Sequence, residues 1–227
     1  MQVSREKVLF YGVLALIVVL VVSGFVLRET WDRAPGEDSA EAGFLRDMQV
    51  HHTQAVEMAM IIRDRTEDEQ IEAMATDIAF SQTSQIGQMQ GYLLLWDINP
   101  TGDEPAMAWM GHDLDGGLMP GMASPEEIQA LQDLPIDQAE TLFLQLMNRH
   151  HIAGVEMAEA VVELSDNDEI EELAEAMARV QAVEIDLMNE FLEERGFEPV
   201  TPENMDEIEL VTGDMPSDAE AEEHEGH

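Results

Sequence analysis

A sixteen-residue segment occurs twice in this chain, at a constant offset of 99 positions. Residues 44–59 read FLRDMQVHHTQAVEMA and residues 143–158 read FLQLMNRHHIAGVEMA, with nine of the sixteen positions identical. The same offset relates three later pairs: Gln82 and Gln181, Ile86 and Ile185, and Met89 and Met188. The repeating unit is therefore longer than one helix, and two units account for most of the chain.

Apolar residues recur every three or four positions through both units, which is typical of amphipathic helices. The pattern predicts four long helices, at 40–65, 68–97, 137–164 and 168–195. Short turns make the two helices of each unit antiparallel neighbours. We therefore predict an all-α fold, in which a duplicated helical hairpin forms a four-helix bundle within residues 40–197.

Several residues mark the expected ends of these helices. Thr66 with Glu69, and Asp137 with Glu140, are capping-box pairs for the second and third helices. Gly196 is a natural stop for the fourth helix because glycine readily takes the left-handed conformation that ends a helix.

Residues 98–136 connect the two hairpins and are rich in Pro, Gly and Met. Within this crossover, Ser124-Pro125-Glu126-Glu127 predicts the start of a short helix that ends before Pro135. Beyond the bundle, residues 198–227 are acidic and have no apolar periodicity. We predict that this tail is disordered.

The N-terminal region contains an apolar run, residues 8–27, that is long enough to cross a bilayer as a helix. It exceeds the usual apolar stretch of a cleaved signal peptide and lacks a good cleavage site, so we predict an uncleaved transmembrane anchor, with cleavage as the alternative. The basic tail at residues 1–7 favours an N-terminus inside the cytoplasm. The linker 28–39 and everything after it would then lie outside the cytoplasm.

Composition narrows the possible functions. The chain has 10 Lys and Arg against 49 Asp and Glu, for a net charge of −39, which argues against binding to nucleic acid. It has no cysteine, so disulfides, thiolate catalysis and cysteine-ligated metals are excluded. Sixteen methionines and seven histidines remain as candidate metal ligands.

Both copies of the repeated segment place a His-His pair on the predicted inner face of a helix. These residues are His51, His52, His150 and His151. If each hairpin is folded about its turn, the pairs come level with Gln82 and Gln181, and one turn further Met48 approaches Gln85 and Met147 approaches Glu184. Glu57 and Glu156 point outward. The polar residues of all four helices therefore meet in one buried layer, where they need partners.

Two interpretations of this layer remain open. In the first, the histidines are neutral and bond to Gln82, Gln181 and Glu184, which sets the register of the helices. In the second, the imidazoles bind a metal together with Met48 and Met147. Thioether and imidazole without thiolate suit copper, especially Cu(I).

The crossover offers a second candidate metal site, formed by Met107, Met110, His112, Met119 and Met122. A polar, Gly-rich loop has no evident core that requires four methionines, which favours capture or transfer of a metal. The alternative is that the loop folds back and its methionines cover an open end of the bundle. His224 and His227 could hold cations weakly, although a merely solubilising tail explains them as well.

Motifs of known catalytic sites are absent from the sequence. The predicted bundle helices carry no Glu-x-x-His motif of di-iron proteins, and the chain has no His-Glu-x-x-His, phosphate-binding loop or Gly-x-Ser-x-Gly elbow. Nothing in the sequence therefore supports an enzyme.

The two repeated segments, together with GLMPGMASPEEIQAL at 117–131, resemble the bacterial family catalogued as domain of unknown function 305. The resemblance covers roughly residues 40–197. It implies a ferritin-like helical bundle, usually exported or anchored, with some members implicated in copper binding or resistance. The family positions that it carries over are His51, His52, His150, His151, Met48, Met58, Met147, Met157, Met119 and Met122.

We therefore expect a membrane-anchored, extracytoplasmic four-helix bundle that binds copper for storage, buffering or resistance. Its partners would be the metal ion and, through the anchor, the lipid bilayer. The alternative is a structural or interaction module whose histidine layer only fixes helix register and which serves another envelope protein. A redox enzyme that uses the same metal is a third possibility.

Overall fold

A computed structural model describes residues 12–23, 34–207 and 210–211. The chain separates into two compact units, Met1–Gly36 and Glu37–His227. Residues 12–23 are helical, and none of the helices in the described ranges is long and apolar enough to cross a membrane. The predicted span extends past this segment at both ends, outside the described residues, as do residues 1–7, most of the linker and the tail after residue 211.

The second unit contains five α-helices and, in its described part, no strand. They are α1 (Ala40–Arg63), α2 (Glu69–Leu95), α3 (Pro125–Asp133), α4 (Ile136–Leu164) and α5 (Asp168–Glu194). A single turn of 3-10 helix, Ala108–Met110, lies in the crossover. The four long helices and the short one confirm the prediction to within about two residues at most ends.

Side chains at the helix ends confirm some of the predicted signals and correct others. The capping box at Ser124 and Glu127 is present, and Gly196 ends α5 at a φ of +80°. The boxes predicted at Thr66 and Asp137 are wrong. Asp68 caps α2 by accepting from two backbone N–H groups of its first turn, while α4 begins after Pro135 without a side-chain cap.

The long helices pair as the repeat predicts. Helix α1 packs along α2 and α4 packs along α5, and the two hairpins meet through α1 and α4. The hairpins run in opposite directions, since the C-terminal half of α1 shares a core cluster with the N-terminal half of α4. The short helix α3 packs across both α1 and α4.

Two apolar clusters fill this bundle within the described part of the chain. The first cluster contains the closed end of the first hairpin, with Ile62 and Ile71, and the open end of the second, with Phe143 and Leu192. The second cluster contains the opposite ends, including Phe44. In α1 the His-His pair lies between residues of the two clusters, whereas in α4 it lies among residues of the first cluster, before those of the second cluster begin at Met157. The polar residues therefore interrupt the core at mid-height.

The prediction of a disordered tail from residue 198 onward is wrong for its first part. Val200, Met205 and Val211 are buried in the first cluster. The backbone N–H of Val200 donates to Oδ1 of Asn189 at 2.8 Å, and Nδ2 of Asn189 donates to the carbonyl of Val200 at 3.0 Å. Isolated apolar residues without periodicity anchor this segment, which is why the sequence pattern did not indicate it.

Candidate metal centre

The two His-His pairs form a buried layer between α1 and α4, which confirms their predicted inward placement. We call it the histidine layer, and its members, His51, His52, His150 and His151, are each 0 % exposed. The rings of His51 and His150 stack with their centroids 3.7 Å apart. Glu57 and Glu156, in contrast, are exposed as expected.

The two stacked rings bond to backbone carbonyls. Nε2 of His150 lies 2.9 Å from the carbonyl oxygen of His51, on the facing helix. Nε2 of His51 lies 3.3 Å from the carbonyl oxygen of Pro120, in the crossover. A carbonyl oxygen can only accept, so each Nε2 carries the proton and donates.

The other two rings bond to side chains that are equivalent in the repeat. Nε2 of His52 donates to Oε1 of Gln85 at 2.8 Å, and Nε2 of His151 donates to Oε2 of Glu184 at 2.8 Å. The predicted role of Glu184 as a histidine partner is confirmed. Gln85 was not predicted as a partner, although its offset of 99 from Glu184 was a signal that could have found it.

The predicted hydrogen bonds from the histidines to Gln82 and Gln181 do not form. Both glutamines are buried, yet their side-chain amides have no hydrogen-bond partner. The partners sit one turn further along α2 and α5 because side chains tilt toward the N-terminus of their own helix. That tilt carries His52 away from the hairpin turn and carries Gln85 back toward it. The prediction counted residues equally from the turn and did not include this tilt, so it placed Gln82 and Gln181 opposite the histidines.

The second nitrogen of each ring in the histidine layer is free. All four Nδ1 atoms are buried without a hydrogen-bond partner, and in a neutral ring whose Nε2 carries the proton, Nδ1 is the unprotonated nitrogen. Desolvation lowers the pKa of His51 to about 4 and that of His52 to about 3. It also holds the pKa of His150 well below its usual value. These three rings are therefore neutral at neutral pH, which is the form that binds metal.

Met48 and Met147, the candidate thioether ligands of the bundle, are fully buried. They belong to different apolar clusters, so they lie on opposite sides of the histidine layer. Met58 and Met157, the other family positions, are also buried and again belong to opposite clusters. Their burial is typical of ordinary core residues. Their position next to the histidine layer also suits metal ligands.

The crossover methionines do have a core to fill, contrary to the sequence argument. Met107 and Met119 are buried in the second cluster, and Met110 and Met122 pack partly buried against it. His112 is exposed. The loop folds back over the open end of the first hairpin, as the alternative interpretation of its methionines predicted. An open end exposes apolar surface, so methionine there reduces the contact of that surface with water.

Asp47 holds the start of this crossover on α1, a role that the sequence did not indicate. Its Oδ2 accepts from the backbone N–H of Met107 at 2.7 Å and from Nε1 of Trp109 at 2.9 Å. Burial raises the pKa of the Asp47 carboxyl, while these hydrogen bonds oppose the shift. Gly43 leaves room for the indole, since a Cβ there would lie 2.5 Å from the ring of Trp109.

Pro120 and Gly121 bring the end of the crossover against α4. Gly121 has a φ of +74°, and a Cβ there would lie 2.8 Å from the carbonyl oxygen of Arg149. This close approach places the carbonyl of Pro120 where His51 donates to it. The sulfur atoms of the Met-Pro-Gly-Met motif were predicted to bind metal, whereas in the structure its backbone carbonyl at Pro120 bonds to the histidine layer.

The donor set of the histidine layer fits a soft or borderline metal better than a hard one. It offers neutral imidazole nitrogens, with thioethers in the adjacent clusters. Among the described residues, no group of three or more His, Asp or Glu side chains is arranged to hold a metal ion. A metal here would therefore be held by fewer such donors together with thioether sulfur, or by rings that rotate about their Cβ–Cγ bonds. Cu(I) tolerates low coordination numbers and accepts both ligand types.

The fold and the layer together define a class of protein: a four-helix bundle made from a duplicated hairpin, with one His-His pair from each repeat buried at mid-height. Residues 41–192 match the family described as domain of unknown function (DUF305). The chain belongs to this family, which confirms the resemblance seen in the repeated segments. Among curated proteins, none matches the chain.

Solved structures share this fold. A DUF305 protein from Streptomyces coelicolor is 46% identical, with a TM-score of 0.68, and the match covers 73% of this chain and 99% of that one. A DUF305 fragment from Deinococcus radiodurans is 33% identical, with a TM-score of 0.61, and the match covers 70% and 99%. CopM in its Cu(I)-bound and Cu(II)-bound forms is 22% and 24% identical, with TM-scores of 0.52 and 0.54, and each match covers 69% of this chain and 97% of CopM.

Proposed function

We propose that this protein binds copper in the cell envelope, for storage, buffering or resistance, and that the histidine layer is its principal site. The observation that carries the proposal is the orientation of the four buried rings. Each donates from Nε2 to an oxygen and leaves a buried Nδ1 without a hydrogen-bond partner. A histidine that binds metal through one nitrogen is usually held in this way through the other.

Copper is the metal that best suits these residues. The chain has no thiolate, which Zn(II) structural sites commonly use, and its candidate ligands are imidazole and thioether. CopM shares the fold and is solved with Cu(I) and Cu(II) bound, so this type of bundle is compatible with copper. At that identity the comparison extends to the fold alone, and the assignment rests on the residues.

We expect the protein to bind Cu(I) ahead of Zn(II), Mn(II) and Mg(II), and to lose this binding when the rings are replaced by glutamine. His51→Gln, His52→Gln, His150→Gln and His151→Gln each keep an N–H donor near the position of Nε2 but remove the lone pair of Nδ1. We expect the affinity to fall by more than the ~10–100-fold that outer residues of a metal site cost. Competition with a chelator measures the affinity, and circular dichroism verifies that each variant folds.

The control for this experiment removes histidines outside the bundle helices. His224→Ala with His227→Ala is present in every sample, and His112→Gln, an exposed position of the candidate crossover site, is expected to lower the affinity less than any replacement in the histidine layer. If folded protein binds Cu(I) no better than an ordinary histidine-containing protein, the copper function is wrong. The layer would then serve only to set helix register in a structural module. That alternative draws support from the hydrogen bonds that already join all four rings to the scaffold.

The crossover methionines are tested separately, by replacing Met107, Met110, Met119 and Met122 with leucine. Leucine has nearly the volume of methionine, so the core is expected to lose less than about 1.5 kcal/mol at each site. A fall in bound Cu(I) with an unchanged circular dichroism spectrum would assign part of the binding to the crossover. Unchanged Cu(I) binding would show that these methionines contribute only to packing.

We also propose that residues 8–27 anchor the protein in the membrane and that the bundle lies outside the cytoplasm. The support is the length of the apolar run and the basic residues before it. The intact chain is expected to fractionate with membranes, and protease added from outside is expected to reach residues after 40. A mature N-terminus near Phe25, or a bundle protected from external protease in intact cells, would refute the anchor or its orientation.

A further inference from the structure

The outward face of α2 carries no charge over most of its length. Residues 78–96 contain no Asp, Glu, Lys, Arg or His, in a chain whose net charge is −39. On this helix the large side chains of Phe80, Leu94 and Leu95 are 71%, 66% and 70% exposed. Exposed apolar side chains that are gathered on one face mark a site of contact with another molecule.

Two glycines lie on the same face, between these large side chains. At about 100° per residue, Gly87 and Gly91 share the side of α2 that carries Phe80 and Leu94. In the described part of the chain, no atom lies within 4 Å of a Cβ position at either glycine, so no contact there requires one. Glycine in the interior of an exposed helix is unfavourable relative to alanine. It does, however, allow a second helix to approach the backbone closely.

The internal repeat shows that this lack of charge is specific to α2. We call Phe80, Gly87, Gly91, Leu94 and Leu95 the uncharged stripe. Their equivalents in α5, at the offset of 99 residues, are Arg179, Asp186, Glu190, Glu193 and Glu194, and all five are charged and exposed. The hairpin fold therefore accepts charged residues at these positions, and their replacement in α2 indicates a contact that α5 does not make.

A second copy of this chain is the partner that fits the uncharged stripe. Two copies that each carry −39 repel each other, and an uncharged face is where they can approach at the lowest electrostatic cost. The stripe is also complementary to itself. In an antiparallel pair with the two-fold axis beside Gly87, Phe80 of each copy lies against Leu95 of the other. The small residues Ser84, Gly87 and Gly91 then meet where the two helices cross.

We propose that the protein forms a two-fold symmetric dimer in which the uncharged stripes of two copies pack against each other. The proposal does not depend on copper binding by the histidine layer. From Phe80 to Leu95 the stripe extends about 22 Å along α2. A helix pair of this length buries less than the roughly 800 Å² per partner of a standard interface. The dimer is therefore expected to dissociate in the micromolar range.

The first test gives α2 a charge that α5 already has. Gly91→Glu is expected to fold, because the space around Gly91 is open in the described structure and glutamate is a better helix former than glycine. Sedimentation velocity of the full chain in detergent is expected to show a dimer that is at least about tenfold weaker in Gly91→Glu than in the parent protein. Val183→Glu is the matched control, since it adds the same charge at an exposed apolar position of α5, and it is expected to leave the dimer unchanged.

The second test uses the absence of cysteine from the chain. Gly87→Cys places a thiol beside the two-fold axis, and Asp186→Cys places one at the equivalent position of α5. A disulfide requires the two Cα atoms to come within about 7 Å, so oxidised glutathione is expected to link Gly87→Cys protein into dimers at least about five times more efficiently than Asp186→Cys protein.

Three results would overturn the proposal. A parent protein that stays monomeric up to about 100 μM would assign the uncharged stripe to lipid or to a different protein. A dimer of equal strength in the parent protein and in Gly91→Glu would place the interface elsewhere, for example in residues 8–27. Equal weakening by Gly91→Glu and Val183→Glu would show an effect of net charge alone. Each of these results would leave the proposed copper function intact.

Discussion

Metal-free protein is expected to lose stability steeply as the pH falls from about 7 to about 5. His51, His52 and His150 have pKa values in the folded state below the ordinary value of 6.5, because burial penalises the charged ring. As the pH falls through about 6.5, these histidines bind protons in the unfolded chain but remain neutral in the folded chain. Their contribution is thus present above the unfolded pKa and is lost as the pH falls toward about 4 for His51 and about 3 for His52. Between pH 6.5 and 5 each such histidine costs about 2 kcal/mol.

Urea unfolding at a series of pH values measures this effect. His52→Gln is expected to remove about 2 kcal/mol of the pH dependence, while His112→Gln, at an exposed position, is expected to leave it unchanged. Protonation of carboxylates relieves the repulsion of the net charge of −39, but mainly near their own pKa values, below this window. An equal slope in the parent protein and in His52→Gln would show that the buried rings are not its source.

Gly121→Ala is expected to destabilise the fold by about 2–4 kcal/mol. An alanine there would keep a left-handed φ of +74° and would place its Cβ 2.6 Å from Cβ of Ala153 and 2.8 Å from the carbonyl oxygen of Arg149. The backbone strain costs about 1 kcal/mol or more, and the overpacking about 1–3 kcal/mol. The crossover must therefore move away from α4, and His51 then loses the carbonyl of Pro120 as an acceptor.

The matched control is Gly111→Ala, in the same crossover. Gly111 has a φ of +77°, but no atom lies within 4 Å of its Cβ position, so only the backbone strain of about 1–2 kcal/mol is expected. Chemical unfolding of both variants gives the difference. Equal losses of stability would show that the close contact with α4 does not contribute to the free energy of unfolding. The copper affinity of Gly121→Ala would show whether copper binding by the histidine layer depends on the position of the crossover.

Much of the architecture follows from periodicity alone. The four long helices and the short helix after Ser124 were predicted close to their observed ends, because apolar spacing and capping residues are local signals. The inward placement of His51 and His150 followed from the same periodicity. The capping boxes predicted at Thr66 and Asp137 failed because Asp68 and Pro135 were closer to the true helix starts and a local motif does not exclude its neighbours.

The hydrogen-bond partners of the histidines could not be predicted from local sequence signals. Gln82 and Gln181 were expected opposite the rings, yet Gln85 and Glu184 bond to them. The choice between two glutamines one turn apart depends on side-chain tilt and on the exact register of two packed helices. A helical period places all four residues on the inner face and cannot distinguish them.

The crossover and the tail were decided by the tertiary structure. The methionines of the crossover, the contact of Gly121 with Arg149 and the burial of Val200 all join positions that are far apart in the chain. By itself, the sequence determined that there are two equivalent hairpins and that each turns a His-His pair inward, since both features repeat with the period of a helix. Only the packed structure decided which nitrogen of each ring is free. That depends on which oxygen atoms the folded chain brings within 3.3 Å of the other nitrogen. All four oxygen atoms come from another helix or from the crossover, and the carbonyl that His150 meets is that of His51 on the opposite hairpin.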